Sequence, residues 1–444
     1  MFLSREDARA ICERLLSNSR ADGCEIEISG GAEQNLRFAR GEATTNAALA
    51  RVSFRISSHV DRRIGSVSVS SLEESELLAA LSRSEAIARS LPQDPDYVAP
   101  LGPQNYSAAS RYDEGTAALR LNDLADWARL VIEEGERRSV ETFGCAAAGR
   151  RFHALATSEG LFAYDRVSEA EMSATARDKA DGWSGWAGDN QFFVSRFDAA
   201  EVARRACEKA AQAAPPRDLE PGEYTVVFEP AAVAELAHWL VSSLNARAAD
   251  EGRSFFSGKG GGTRLFERLF DEKLTIRSDP GDALAPESPI GQEGVPHRPR
   301  LWIDRGALTS LYRARAYAQR VGDEAVPHPR SFRMEGGQAS LADMIGSVRR
   351  GVLVTRLWYS NMLDPRGLLL TGLTRDGNFL IENGKLAGPA RNMRFNQSLA
   401  HLFARIEALG PSERTWSAIR DEGAAAAPPM LVEKFCFSSR SSGV

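Results

Sequence analysis

The sequence predicts an α+β fold, with an N-terminal α/β lobe of antiparallel sheets and covering helices followed by a large β-rich C-terminal domain. Segments such as 52–56 alternate apolar and polar residues, as half-buried strands do. Amphipathic helical repeats follow these segments, and turn pairs such as Asn383-Gly384 are concentrated in the second half. With 444 residues, 43% hydrophobic and 26% charged, the chain is long enough for two or three units with their own cores.

The first predicted unit comprises residues 1–107. Ala8, Ile11 and Leu15 repeat at helical spacing, and alternating strands follow at 24–29, 52–56 and 64–69. Ser71-Leu72-Glu73-Glu74 has the pattern of a capping box and predicts a helix over 72–90. The proline-rich stretch 91–107 then predicts a linker.

The central unit is predicted to comprise residues 108–222. Asn122 is expected to begin a helix over 122–138, followed by four short strands at 139–147, 151–157, 161–165 and 168–177. The glycine- and tryptophan-rich stretch 181–190 predicts a loop. Asp198 is expected to cap an alanine-rich helix that runs to about residue 212, and prolines over 213–222 predict a second boundary.

The third unit, 223–444, is predicted to be mostly strands and turns, with helices over 230–247 and 338–350. Asp304-Arg305-Gly306, Asp376-Gly377 and Asn383-Gly384 each lie between β-like runs. Such pairs supply the positive φ angles that tight hairpin turns require. We therefore expect an antiparallel meander over 351–388.

Composition excludes several classes of protein. With 55 Lys+Arg against 60 Asp+Glu, the net charge of −5 does not indicate a nucleic-acid or anionic-membrane partner. Apolar runs are too short to span a bilayer. Because Arg5, Glu6 and Asp7 occupy the place of a signal peptide's apolar stretch, a cytoplasmic location is expected. The five cysteines (Cys12, Cys24, Cys145, Cys207 and Cys436) lack CxxC spacing and predict reduced, mostly buried thiols.

The chain lacks the usual short catalytic and metal motifs. The glycine-rich stretch 258–263 has no Gly-Lys-Ser/Thr and predicts a surface loop. Of the six histidines (His59, His153, His238, His297, His328 and His401), none pairs at metal-binding helical spacing. His238 is expected to be a partly exposed helix residue, while His297 and His328 could approach each other in space. There is no GxSxG elbow. We assign no catalytic, metal or cofactor-binding residue and expect no cofactor.

One basic stretch is prominent. Between Arg298 and Arg333 there are eight arginines and three acids, interleaved with aromatic residues. Guanidinium groups suit carboxylate or phosphate, so a surface for a peptide terminus or nucleic acid is one interpretation. A solvated strand face or a subunit interface is the other.

The last part of the chain resembles the TldD/PmbA family, also called the modulator-of-gyrase family. The resemblance rests on the string TGLTRDGNFLIENGKL at 371–386 and RNMRFNQS at 391–398. Segments 25–38, 52–56, 63–65 and 72–90 are similar to the family's first domain. The resemblance implies a cytosolic zinc peptidase system, in which a TldD-type subunit has an HExxxH helix and a downstream cysteine ligand, and a TldE/PmbA-type subunit pairs with it and lacks them.

The motif positions decide which subunit this chain resembles. An alignment anchored on Pro230 places Glu235 and Leu240 at the two histidines and Leu236 at the catalytic glutamate. The cysteine ligand would fall between Arg414 and Ala418, where none occurs, and Cys436 lies beyond it. Leucine offers no metal ligand and no proton acceptor, so an open zinc site is not expected.

The resemblance therefore implies a catalytically silent, non-metal-binding TldE-like subunit. Its expected partner is a TldD-type zinc metallopeptidase subunit, and together they would degrade or process small or unfolded peptides held in extended form. The alternative is a stand-alone homodimeric peptide-binding or regulatory protein. An independent hydrolase with an unrecognised site is a third hypothesis, whereas the negative net charge argues against direct DNA binding.

Overall fold

The computed structural model describes residues 2–180, 182–212, 214–416 and 423–441. It is 25% helix and 41% strand, which confirms the α+β class. Within the described residues, no helix is both long and apolar enough to cross a bilayer.

The N-terminal lobe is built on one antiparallel sheet of six strands in the order β3-β2-β1-β4-β5-β6. These strands are β1 Gly23–Ala39, β2 Glu42–Val60, β3 Arg63–Val69, β4 Glu141–Thr157, β5 Phe162–Arg177 and β6 Ser184–Gln191. Because β1 pairs with β4, the sheet continues from the first predicted unit into the central one. The division into units 1–107, 108–222 and 223–444 stays a prediction.

Helices cover one face of this sheet. They are α1 Arg5–Asn18, α2 Glu74–Ser90, α3 Glu114–Ala117, α4 Leu121–Arg137 and α5 Ala199–Ala210. The core side chains that β1 and β4 place under these helices have even residue numbers, and residues two apart point to the same face of a strand. The opposite face packs against the C-terminal domain, where Val167 meets Ala285 and Ala426.

Two helix starts differ from the prediction. The capping box at Ser71 does not form: α2 begins at Glu74, and the Ser71 hydroxyl accepts a hydrogen bond from the Glu73 N–H instead. The α4 helix begins at Leu121, because the Asp123 carboxylate accepts the Arg120 N–H at 2.7 Å, so Asn122 is not its cap. Asp198 does cap α5, since it accepts the Glu201 N–H at 2.9 Å.

The four short strands predicted for the central unit are two long ones. Gly149 lies inside β4, close to the backbone of β1. A β-carbon there would lie 2.6 Å from the Ala32 carbonyl oxygen, so the glycine allows β1 to pair closely. The predicted loop 181–190 is also wrong from residue 184 onward, where β6 forms the sheet edge. Gly185 lets α5 lie on it, with a hypothetical β-carbon 2.4 Å from Lys209 Cβ. Asp181 lies outside the described residues.

The C-terminal domain contains a closed barrel. Its strands run in the order β12-β7-β19-β15-β13, and pairing of β12 with β13 closes the ring, while β14 extends it and β16 pairs with β19. They are β7 Gly222–Phe228, β12 Arg350–Asp364, β13 Leu369–Glu382, β14 Lys385–Pro389, β15 Met393–Ser398, β16 Ile406–Leu409 and β19 Met430–Arg440. The predicted meander over 351–388 is therefore confirmed as β12-β13-β14.

A second six-stranded sheet has the order β10-β9-β8-β11-β18-β17. Its strands are β8 Ile276–Ser278, β9 Arg300–Asp304, β10 Ala307–Leu308, β11 Phe332–Met334, β17 Glu413–Thr415 and β18 Ala425–Ala427. The remaining helices are α6 Pro230–Ser242, α7 Ala246–Asp250, α8 Arg315–Val321, α9 Leu341–Ser347 and α10 Leu399–Phe403. The predicted helices 230–247 and 338–350 are thus shorter than expected.

Two of the three predicted hairpin turns form, and the third does not. Arg305-Gly306 and Asn383-Gly384 have positive φ and form the expected turns between β9 and β10 and between β13 and β14. Asp376-Gly377 instead lies inside β13, where the two residues oppose the single residue Thr355. At this β-bulge both residues have positive φ, as in a tight turn, which explains the error.

Candidate functional site

The α6 helix occupies the place where the family's metal-binding helix is expected. Pro230 stands at its first turn, where a missing N–H costs nothing, and the helix packs against β7, β12, β17 and β18. Most of its side chains are buried in the largest apolar core. Its half-buried face carries Glu235, His238 and Trp239, as predicted for His238.

The three positions aligned with HExxxH do not converge on one cleft. Leu236 and Leu240 are both 0% exposed and belong to the apolar core, whereas Glu235 lies on the half-buried face. One carboxylate and two leucines do not fit zinc, which requires three or four nitrogen, sulfur or oxygen ligands. Among the described residues, no group of three or more His, Cys, Asp or Glu side chains is arranged to hold a metal ion.

The segment aligned with the cysteine ligand begins in β17, and this strand packs on α6. Arg414 occupies the segment, and its guanidinium lies 3.9 Å from the Phe192 ring centroid and donates to the Asn190 carbonyl at 2.6 Å. Burial lowers the pKa of Arg414 to about 10. Residues 417 and 418 lie outside the described residues.

Cys436 lies elsewhere in the barrel. It sits on β19 opposite Glu223, at the start of β7, whereas α6 follows the far end of that strand. All five cysteines are free in the structure, and Cys12, Cys24 and Cys207 are buried, as expected.

The half-buried face of α6 carries ionisable groups with shifted pKa values. Burial raises the pKa of Glu235, whose Oε1 accepts a hydrogen bond from Trp239 Nε1 at 3.2 Å. Burial lowers the pKa of His238. The pKa of His328 is lowered to about 4, first by burial and then by the charges of His238 and His297. Its imidazole is therefore neutral at physiological pH. Shifted pKa values cluster at functional sites, so this face is a candidate for ligand contact.

His297 and His328 do approach each other, as the sequence suggested. Both nitrogens of the His297 ring lie near carbonyl oxygens, with Nδ1 2.8 Å from Ser288 O and Nε2 3.2 Å from His328 O, and a neutral ring donates to one of them. The buried Glu287 carboxylate lies 3.5 Å from the same ring. His297 therefore links the loops that carry Ser288 and His328.

A buried ionic cluster joins the lobe to the barrel just before α6, and sequence reasoning missed it. Glu229 Oε2 lies 2.7 Å from Lys209 Nζ and 3.3 Å from Arg205. Although burial alone would raise the pKa of Glu229, Lys209 and Arg205 hold it below its ordinary value. The Thr355 hydroxyl lies 3.2 Å from Glu229 Oε1.

The bulge of β13 continues this cluster. Asp376 accepts a hydrogen bond from the Ser184 hydroxyl at 2.6 Å, and it pairs with Arg356 and Arg375. The Arg356 guanidinium also lies over the rings of Trp186 and Trp358, at 4.7 and 5.1 Å. The four cations and two carboxylates of the cluster come from both parts of the fold, so their ion pairs fix the lobe on the barrel.

The arginines between Arg298 and Arg333 do not form a single exposed basic face. Arg313 pairs with Asp323, Arg320 lies near Glu251, and Arg333 pairs with Glu335. The acids that match them come partly from outside the stretch. The glycine-rich stretch 258–263 is a loop with open space around Gly260, as predicted.

Two strands, β12 and β2, each have a stretch of edge that pairs with no other described strand. The β12 strand pairs with β7 only over 351–354, so its remaining edge, 355–364, is open on that side. Trp358, Tyr359 and Leu363 on this segment are exposed. The β2 strand pairs with β3 only from Phe54 onward, and residues 42–51 are exposed except for Ala47. Such edges are templates for another strand.

Sequence and structure comparisons identify relatives. Residues 221–439 match the profile described as the PmbA/TldA metallopeptidase C-terminal domain, and residues 107–214 match that of the central domain. No curated protein matches the chain significantly.

Similar solved structures cover almost the whole chain. TldE from Thermococcus kodakarensis has a TM-score of 0.86 at 18% identity, covering 97% of this chain and 99% of that one. A proposed modulator of DNA gyrase from Thermotoga maritima has a TM-score of 0.82 at 18% identity, with the same coverage. Another, from Bacteroides thetaiotaomicron, has a TM-score of 0.81 at 21% identity and covers 99% of this chain and 100% of that one. These three share the fold, and the two matched domains show that the chain belongs to the TldD/PmbA family.

Proposed function

We propose that this chain is the non-metal-binding, TldE-like subunit of a two-chain peptidase, in which a TldD-type zinc subunit cuts small or unfolded peptides. The observation that carries this proposal concerns two residues of α6. Leu236 and Leu240 lie in the apolar core, at positions where a zinc peptidase would need a proton acceptor and a metal ligand. The fold shared with the T. kodakarensis TldE supports it.

The open edge of β2 supports pairing with another subunit. Residues 43–50 carry no charge. Proteins usually protect an exposed strand edge from pairing with lysine, proline or a bulge, so an uncharged edge is suited to pairing with another chain. A strand of the TldD-type subunit would satisfy the unpaired backbone groups of this edge. The open half of β12, with exposed Trp358 and Tyr359, would in turn hold an extended peptide by strand addition. Unpaired thiols throughout the chain agree with a reducing, cytoplasmic location.

The test is to co-express the chain with a TldD-type protein from the same genome. We expect the two to co-elute in size-exclusion chromatography with light scattering, and we expect the pair to cleave an unfolded casein fragment faster than the partner alone. If the two proteins elute separately and the peptidase rate is unchanged, the proposal is wrong. A homodimer that binds the fragment without a partner would support the alternative of a stand-alone peptide-binding protein.

A pair of variants locates the interface. Thr45→Lys with Ala48→Lys places charge on both faces of the β2 edge and should abolish co-elution. Ser17→Lys with Ser82→Lys adds the same charge to exposed helix positions and should leave the complex intact. Equal behaviour of the two double variants would exclude β2 as the docking edge.

A further inference from the structure

A cavity of about 270 Å³ lies in the C-terminal domain beyond the end of α6. It is lined by Asn245 and Arg247, by residues 292, 293 and 295, and by two parts of the arginine-rich stretch, 312–317 and 326–328. Its volume is just below the roughly 300–1,000 Å³ of pockets that enclose drug-sized ligands. It therefore has room for a small molecule or for the end of a longer one.

The lining contains three arginines and one carboxylate, Glu293, and Arg247 is paired with Glu251 at 2.8 Å, which leaves Arg313 and Arg315 as candidate donors to a ligand. Arg315 donates to the Ala99 carbonyl at 2.7 Å and has no acidic partner within 4 Å in the described part of the chain. Arg313 pairs with Asp323 at 3.1 Å, yet its buried Nε makes no hydrogen bond to the described residues. Glu293 accepts the backbone N–H of Arg315 at 3.2 Å.

The aromatic residues of the lining are held in place by their neighbours. The Tyr312 hydroxyl donates to the Ser242 carbonyl at 3.0 Å, and the Tyr317 hydroxyl donates to Asp250 at 2.6 Å. The His328 ring packs edge-on against Tyr312, with centroids 4.6 Å apart. Within the described residues, the His328 ring nitrogens make no hydrogen bond, so the neutral imidazole can donate to a ligand.

The linker between the predicted first and central units braces the cavity. Besides the Arg315 contact to Ala99, Gln319 Nε2 donates to the Tyr97 carbonyl at 3.3 Å, and the Tyr106 hydroxyl donates to the Gly294 carbonyl at 2.7 Å. A wall fixed before the ligand arrives reduces the entropy lost on binding.

We propose that this cavity binds the free carboxylate at the end of a short peptide, with Arg315, Arg313 and His328 as its donors. The proposal rests on the function proposed above, because it takes the substrate class from there. A guanidinium presents two parallel N–H groups to a carboxylate, which gives a charge-assisted contact that an amide end cannot replace. The cavity would thereby fix one end of an extended peptide, near the half-buried face of α6.

The test measures binding to the full chain alone by isothermal titration calorimetry, with acetyl-Phe-Ala-Ala and its C-terminal amide as matched probes. We expect the free acid to bind about tenfold more tightly than the amide or better, as loss of a charge-assisted pair predicts. Arg315→Gln should remove that preference, and Arg315→Lys should keep part of it. Arg298→Gln, at an exposed arginine of the same stretch outside the cavity, should change nothing.

Equal affinity for acid and amide, or an unchanged preference in a folded Arg315→Gln protein, would overturn the proposal. Inorganic phosphate is the third probe, and tighter binding of phosphate than of the peptide acid would also overturn it in favour of an inorganic-anion site. An active two-chain peptidase without carboxylate preference contradicts this inference alone. Carboxylate binding by a chain that neither pairs with nor stimulates a partner contradicts the proposed function alone.

Discussion

Lys209 Nζ lies 2.7 Å from Glu229 Oε2, and both side chains are largely buried where α5 of the lobe meets the strand that leads into α6 of the barrel. Burial lowers the pKa of Lys209, while Glu229 opposes that shift. The pair thus joins two parts of the fold and orients the start of α6.

Removing the lysine should destabilise the protein strongly. Lys209→Met leaves Glu229 buried with only Arg205 for charge compensation, and breaking one partner of a buried pair costs about 3–5 kcal/mol of unfolding free energy. Urea denaturation followed by circular dichroism measures it. Lys209→Met with Glu229→Gln should cost less than Lys209→Met alone, and exposed Lys385→Met should cost almost nothing. A neutral effect of Lys209→Met would show that the pair does not hold the lobe.

His328 should titrate far below an ordinary histidine. Its pKa is about 4 in the folded protein against an ordinary 6.5, so the unfolded chain binds more protons between these values. The contribution of His328 to stability therefore rises from pH 4 to pH 6.5 and is lost as the pH falls. Proton–nitrogen NMR of the imidazole measures its midpoint directly, and His328→Gln should flatten the stability profile in this window. A midpoint near 6.5 would contradict the burial of this ring.

Restoring the motif residues should not restore a zinc site. In the triple variant Glu235→His, Leu236→Glu, Leu240→His, two polar groups enter the apolar core without partners, which costs several kcal/mol. We expect a large fall in melting temperature and less than one equivalent of zinc by elemental analysis. Glu235→His alone, at the half-buried position, should stay folded. One equivalent of tightly bound zinc in a folded triple variant would show that α6 presents these positions to a common site.

Thiol labelling should divide the cysteines into two groups. Burial raises the pKa of Cys12 and Cys207 to about 12 and that of Cys24 to about 11, so little thiolate forms at pH 8. Mass spectrometry after iodoacetamide should show label first on Cys145 and Cys436, which are only partly buried. All five should react in denaturant. Rapid native labelling of Cys12 would show that α1 opens readily from the sheet.

Local sequence patterns predicted most elements but few of their ends. Alternation of apolar and polar residues located parts of β1, β2 and β3. In the structure β1 and β2 extend well past these alternating segments. Pairing of β1 with β2 and with β4 maintains the strands there. Glycines misled the prediction of strand ends. Gly149 and Gly185 lie inside strands because a neighbouring strand or helix approaches closely, which a window of sequence does not reveal.

For the candidate site, too, sequence and structure determined different things. The sequence by itself determined that no histidine or cysteine stands at the positions that the resemblance aligns with the metal ligands, because residue types are read directly. Only the tertiary structure decided that Leu236 and Leu240 lie in the core, that Lys209 meets Glu229, and that Arg313, Arg315 and His328 line one cavity with Arg247. Side chains far apart in the chain meet only when sheets and helices pack, and packing depends on the whole set of buried surfaces.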